Sequence, residues 1–224
     1  MQFRDRSDAG RRLAGRLEEF RGQDLVVLGL PRGGVPVAAE VARALALRLD
    51  VVVVRKVGVP LRPELAMGAV GEGGVLVVDE RVARLSGVPP ADLAEAAHRE
   101  RLELDSRVER FRAGRPPVAL AGRGVVLVDA GVATGSTALA ACAVVRALGA
   151  TRLVLATPVC SPEGARRLMT GVDRLICLQT PRHFTAVGQF YADFRPTRDA
   201  DVLDLLARAA RTHQPPSGPA LPES

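Results

Sequence analysis

A chain of 224 residues with 47% apolar residues can bury a full core, and its length fits one domain with a decorated edge better than two. Val, Leu and Ala dominate the apolar set, with no Trp, one Tyr and six Phe, so large base-stacking platforms are scarce. A formal charge of +6, from 31 Lys plus Arg against 25 acids, suits phosphate-rich ligands, while the lack of a dense basic run argues against a nucleic-acid arm.

Met1 to Arg12 is charged and polar, which does not fit a signal peptide, and no apolar run reaches the ~18 residues a membrane span needs. A cytoplasmic protein is expected. Ser7 to Phe20 places Leu13, Leu17 and Phe20 at helical spacing, with Ser7 or Asp8 as the cap. Leu25 to Leu30 reads as a strand, Pro31 to Gly34 as a turn, and Pro36 to Leu47 as a helix.

Val51 to Arg55 reads as a second buried strand, followed by a breaker-rich stretch from Lys56 to Pro63. Glu64 to Val70 and Val75 to Asp79 form a hairpin turning at Gly71 to Gly74. Pro89 to Arg112 is a charged helical excursion, ended by Gly114, Pro116 and Pro117. Its face of Leu93, Ala97, Leu102 and Leu104 is expected to pack on its own domain.

The alternation resumes with a strand at Gly124 to Asp129, a glycine-rich turn, and a helix from Thr137 to Leu148. Strands at Leu153 to Thr157 and Arg174 to Leu178 flank a helix near Pro162 to Thr170. Strand and helix in alternation imply an α/β fold, a mainly parallel sheet with helices on both faces, plus the β-hairpin and the excursion. Residues 1–213 make the domain, and the proline-rich 214–224 reads as a disordered tail. Cys142, Cys160 and Cys177 lack CxxC spacing and sit in apolar stretches, as free buried thiols of a reducing compartment do.

Parallel α/β sheets bind ligands at the carboxyl ends of their strands. The turn Asp129-Ala130-Gly131-Val132-Ala133-Thr134-Gly135-Ser136-Thr137 ends a buried strand in an acid, then offers glycines and hydroxyls where a helix starts. That combination suits a phosphate on backbone N–H groups beside a sugar whose hydroxyls donate to the carboxylate. It is neither a Walker A loop nor a GxGxxG fingerprint, and taken alone it also reads as an ordinary capped turn.

The segment resembles the phosphoribosyl pyrophosphate (PRPP) motif of type I phosphoribosyltransferases: four apolar residues, two acids, and a loop ending TG[GAS]T. The resemblance implies that Asp129 holds the ribose hydroxyls and, through them, magnesium, and that Gly131, Val132, Ala133, Thr134, Gly135, Ser136 and Thr137 wrap the 5-phosphate. The second acid of the motif is Ala130 here, which removes a ribose contact worth roughly 1.5–3 kcal/mol.

Leu30-Pro31-Arg32-Gly33-Gly34 is similar to the family's diphosphate loop, in which Gly33 and Gly34 allow close approach and Arg32 adds a cation. Lys56 and Arg62 lie where the family has a mobile catalytic loop, or are solvated surface charge. Phe184, Tyr191, Asp193 and Arg195 resemble the base-binding end of hypoxanthine-type enzymes. There Phe184 would stack the base and Arg195 would meet diphosphate, with core packing of Phe184 and Phe194 as the alternative. His183 has no visible partner and reads as solvent-facing or capping.

The resemblance, closest to an uncharacterised bacterial phosphoribosyltransferase-like group, implies Mg-assisted transfer of the phosphoribosyl group from PRPP to a nitrogenous acceptor such as a nucleobase. The catalytic set would be Asp129, Arg32 and Lys56. A PRPP or nucleotide sensor with little or no turnover is the alternative that Ala130 favours. Phosphate-ester hydrolysis lacks a visible metal cluster or activated nucleophile. Expected partners are PRPP and a small acceptor, with no membrane, no nucleic acid, and room for a homodimer.

Overall fold

The computed structural model describes residues 2–212, and of Glu64 the backbone alone. The expected tail, 214–224, lies outside the described residues. Five parallel strands form the main sheet: β1 (Leu25–Gly29), β2 (Arg48–Val51), and, after the hairpin ribbon introduced below, β6 (Gly124–Val128), β7 (Arg152–Val159) and β8 (Arg174–Gln179). Their spatial order is β2-β1-β6-β7-β8. Every residue of β1 and β6 is buried, so these central strands read as unbroken apolar runs rather than as alternation.

Alternate residues of those strands face opposite layers. Val27, Val126, Val128 and Val154 pack beneath α1 (Arg6–Gly15) and α2 (Gly34–Leu45), against Leu13, Leu17, Val37, Val41 and Leu45. Val26, Leu28, Val125, Leu127, Leu153 and Leu155 pack against the helix Ser136–Ala147 through Ala138, Ala141, Val144 and Val145. The expected α/β architecture with helices on both faces is therefore present.

The ribbon β3 (Val54–Val59), β4 (Arg62–Gly71) and β5 (Val75–Val78) is antiparallel and lies across the helix Ser136–Ala147. Its presence corrects two boundaries. The expected strand Val51–Arg55 is divided: Val51 ends β2 beside Gly29, and Val54 starts β3 opposite Gly71. Four consecutive valines satisfy either sheet, so sequence alone merges them, whereas Val53 N–H leaves the ladder to donate to Glu72 (3.1 Å). The stretch 56–63, expected as a loop, is strand through Val59, with the register slipping around Gly58 and a turn at Pro60–Leu61. Glycine at 58 permits the slip because a Cβ there would stand 2.8 Å from Pro63 Cα.

α3 (Glu80–Leu85) follows the ribbon, capped by Asp79, and leads into α4 (Pro90–Arg112), the expected excursion. Its buried stripe is Ala97, Leu104 and Phe111, spaced by seven, together with Ala96. Leu102 is off that stripe and 60% exposed, correcting the expected face. Arg112 fixes the helix end: its guanidinium bonds Asp50 (2.5 Å), Glu72 (2.8 Å) and the Val51 carbonyl (3.0 Å), all at buried or nearly buried groups. α4 thus packs on its own domain.

α5 (Ser136–Ala147), α6 (Pro162–Leu168) and a C-terminal α7 (Asp199–Thr212) complete the fold. α7 carries Val202, Leu205, Leu206 and Ala209 at helical spacing behind Asp199 and Asp201 in the first turn. The cap of α1 is Asp5, which accepts the Asp8 N–H (2.7 Å), rather than Ser7 or Asp8. Asp8 is buried and takes the Arg4 N–H and the Arg12 guanidinium. Cys142, Cys160 and Cys177 are free thiols. Among the described residues no helix is long and apolar enough to cross a membrane.

Candidate active site

β1 and β6 are neighbours, so the two glycine-rich turns at their carboxyl ends meet. Leu30 N–H donates to the Val128 carbonyl (2.9 Å), carrying the ladder one residue past β1. Gly34 is pressed against the second turn: a Cβ there would stand 2.6 Å from Val128 O and 3.0 Å from Asp129 Cα. Glycine is therefore required for the two turns to touch. Gly34 N–H is spent on the Leu30 carbonyl (2.9 Å), which leaves the N–H groups of Arg32 and Gly33 without a partner among the described residues. The peptide between Pro31 and Arg32 is cis.

The second turn is built for exposure of its tip. Val132 is buried and bridged to Cys160, with its N–H on the Val159 carbonyl and its carbonyl on the Ser161 N–H (both 2.9 Å). Ser161 Oγ donates to the Ala133 carbonyl (2.5 Å). Ala133, Thr134 and Thr137 are exposed above this base. Gly135, at φ 78°, turns the chain into α5, whose first-turn N–H groups have no intrahelical partner. Gly131 is also close-packed, since a Cβ would meet Val187 at 2.3 Å.

Asp129 is half-buried and has no ion pair among the described residues; its Oδ1 accepts the Ala130 N–H (2.7 Å). Burial pushes its carboxyl up to about 6, against the pull of the Ala130 and Gly131 N–H groups and the Arg6 cation. Ala130, where the motif has its second acid, is 4% exposed and faces the α1–α2 layer. That position is closed off rather than left open to a sugar.

The expected residues divide by location. Asp129, Gly131 to Thr137, Gly33 and Gly34 gather at these two turns. Arg32 is on the first turn, its half-exposed guanidinium 3.4 Å from Asp199. Lys56 sits in β3 opposite Ala69, and Arg62 starts β4, both on the ribbon that crosses α5. Phe184 is half-buried against Phe190 (5.5 Å between ring centres).

Tyr191 is in the core, at 4% exposure between Phe3 (5.4 Å) and Phe194 (4.9 Å). Its hydroxyl donates to the Ala130 carbonyl (2.5 Å), so it braces the Asp129–Thr137 turn and offers no free ring face. Asp193 and Arg195 pair with each other at the surface (2.5 Å), which holds the Asp193 carboxyl down to about 2. His183 is exposed, and its carbonyl accepts from the Gln189 side chain.

Two arginines at the site have no local sequence signal. Arg167, on α6, donates to Ser136 Oγ (3.0 Å), and Ser136 Oγ lies 3.3 Å from Thr134 Oγ1. Both Arg167 and Ser136 line a cavity of about 580 Å³ between α5 and the ribbon. Arg6, at the start of α1, reaches the Gly33 turn, with Nε 3.4 Å from where a Gly33 Cβ would stand.

A family model for the phosphoribosyl transferase domain matches residues 5–195, which hold both turns and all five parallel strands. The chain belongs to the type I phosphoribosyltransferase family. Two Mycobacterium tuberculosis proteins, from strains H37Rv and CDC 1551 and provisionally described as phosphoribosyl transferases, are each 51% identical to it over 209 residues. That alignment covers 93% of this chain and 47% of each relative, so this chain spans about half their length. The crystal structure of TT1426 from Thermus thermophilus superposes with a TM-score of 0.88 at 49% identity, covering 93% of this chain and 99% of that one.

Proposed function

We propose that the chain binds PRPP with magnesium and transfers its phosphoribosyl group to a nitrogenous acceptor, a nucleobase by the family's chemistry, releasing diphosphate. The nesting of Gly34 against Val128 and Asp129 carries this reading, because it brings a diphosphate-type turn against an acid-ended strand and a phosphate-type turn. In the reaction a nitrogen lone pair forms a bond to ribose C1 as the C1–O bond to diphosphate breaks. Positive charge grows on the sugar and negative charge on the leaving group.

Asp129 would accept hydrogen bonds from the ribose hydroxyls. The Ala133–Thr137 turn, with the start of α5, would hold the 5-phosphate, its Ser136 hydroxyl oriented by Arg167. Diphosphate would lie on the N–H groups of Arg32 and Gly33 and the Arg32 guanidinium, with Arg195 and Lys56 as further cations. Among the described residues no group of three His, Cys, Asp or Glu could hold a metal, which fits magnesium arriving as Mg–PRPP and reaching the protein through the hydroxyls on Asp129.

Calorimetric titration with Mg–PRPP tests the site: saturable binding is expected, with loss in Asp129→Ala, followed by diphosphate release on adding the right base. A second reading, a PRPP or nucleotide sensor with little turnover, is favoured by Ala130 and its enclosure. Binding of ribose 5-phosphate or a nucleotide with no heat from PRPP at millimolar concentration would replace the transferase by the sensor.

A further inference from the structure

α1 begins at Arg6, directly after its Asp5 cap, so this side chain leaves the helix at its N-terminal end. The guanidinium lies over Phe194, 4.0 Å from the ring centre, and Nη1 donates to the Arg195 carbonyl (2.9 Å). Nε is buried with no hydrogen-bond partner among the described residues. At the spot where a Gly33 Cβ would stand, Nε is 3.4 Å away, Nη2 3.7 Å and the Ala130 Cβ 3.6 Å. The Nε–Nη2 edge therefore lies at the diphosphate-type turn and beside the residue where the motif's second acid is missing.

The charge around Arg6 is incompletely answered. Burial weakens its hold on its proton, opposed by Tyr191, Asp193 and Asp129 in that order, of which the two carboxylates are the acids that can answer its charge at neutral pH. Asp193 is already paired with Arg195. Asp129 acts on Arg6 from beyond ion-pair distance, and an acid at position 130, which would have answered the cation at short range, is an alanine. The site therefore presents one acid, Asp129, and one cation, Arg6. A desolvated guanidinium with a free donor edge is a receptor for a phosphate-type anion, which accepts two parallel N–H bonds.

We propose that Arg6 is a substrate-contacting cation of this site, taking the diphosphate of PRPP on its Nε–Nη2 edge while Phe194 and the Arg195 carbonyl hold its plane. The proposal rests on the reading that the two turns hold PRPP. A Cβ at position 33 would rest in van der Waals contact with that edge, so glycine there leaves the edge open to a ligand.

Calorimetry of wild type, Arg6→Met and Arg6→Lys with Mg–PRPP, Mg–diphosphate and ribose 5-phosphate separates the possibilities. Arg6→Met is expected to weaken PRPP and diphosphate roughly 10- to 100-fold, the size of a charged hydrogen-bond loss. Ribose 5-phosphate should bind unchanged, and Arg6→Lys should recover part of the loss. Equal weakening of all three ligands with a lowered melting temperature would make Arg6 a strut for the 190–195 segment and overturn the proposal. Unchanged PRPP affinity in a folded Arg6→Met would overturn it as well, leaving the site reading intact. A wild type that binds none of the three ligands overturns the site and Arg6 with it.

Discussion

Replacing Asp129 by asparagine should stabilise the free protein while abolishing PRPP binding. The carboxyl sits at about 6 instead of 3.8, and burial is the main cause. At about 1.4 kcal/mol for each pH unit, keeping it ionised at neutral pH costs the fold roughly 3 kcal/mol. The folded state holds the proton more tightly than the unfolded chain does. Its stabilising contribution is therefore complete below about pH 4 and is lost as pH rises through about 6. The asparagine would keep an acceptor for the Ala130 N–H; allowing about 1 kcal/mol for a weakened bond from Gly131 leaves a gain of about 2 kcal/mol. For a chain of this size that raises Tm by roughly 4–8 °C. Calorimetric melting of Asp129→Asn and wild type at pH 7.5 and 4.5 checks it: the gain should be present at the higher pH and nearly vanish at the lower. A variant no more stable than wild type at pH 7.5, or a gain equal at both, would refute the assignment of a desolvated carboxylate to this turn. PRPP binding by wild type should correspondingly strengthen as pH rises through about 6.

Arg112→Met strands Asp50 and Glu72 as buried carboxylates and should cost about 3–5 kcal/mol in urea unfolding, much of it recovered by adding Asp50→Asn and Glu72→Gln. Gly34→Ala, whose Cβ would collide with backbone at 2.6 Å, should cost about 1–3 kcal/mol and part the two turns, whereas Gly33→Ala, with its nearest neighbour at 3.4 Å, should melt close to wild type. Cys160 Sγ–H bonds to Cys177 and lowers that thiol's affinity for its proton, while burial pushes Cys142 up to about 12. Peptide mapping after brief iodoacetamide treatment at pH 8 should therefore find Cys177 alkylated first and Cys142 last.

Those chemical features differ in how far the sequence announces them. The two turns are written locally: an apolar run, an acid or a proline, then glycines at a helix start, all within a dozen residues. Parallel-sheet geometry supplies their adjacency without further information, because ligands collect where such strands end. Asp129, Gly34 and Gly135 could be picked out for that reason. The division of Val51 to Val54 between two sheets could not, since a valine run fits a β ladder on either side and only the bond from Val53 to Glu72, nineteen residues on, decides it. Tyr191 misleads for a related reason: the Tyr191–Arg195 segment resembles a base-binding end, whereas the burial of Tyr191 follows from Phe3, which bonds to Phe190 and Ala192 from the far end of the domain. Arg6 lies in an ordinary amphipathic helix start, and none of its neighbours in sequence says that it ends beside Gly33.

The same contrast explains which arginines a ligand can recruit. Arg112 is held by two buried carboxylates and a carbonyl, and removing it from them would expose an uncompensated buried charge, so it serves the fold alone. Arg32 meets Asp199 at 3.4 Å with more than half of its side chain in solvent, an arrangement worth at most about 1 kcal/mol. Asp199 has a shorter partner in Arg110 of α4 (2.7 Å), so releasing Arg32 leaves the carboxylate satisfied and the contact of α4 with α7 unbroken. On the proposed function, a diphosphate of several negative charges would outcompete such a half-share of one exposed carboxylate. The excursion helix would then contribute to the proposed site indirectly: by taking Asp199 through Arg110 it leaves Arg32 only loosely committed, and free to meet diphosphate.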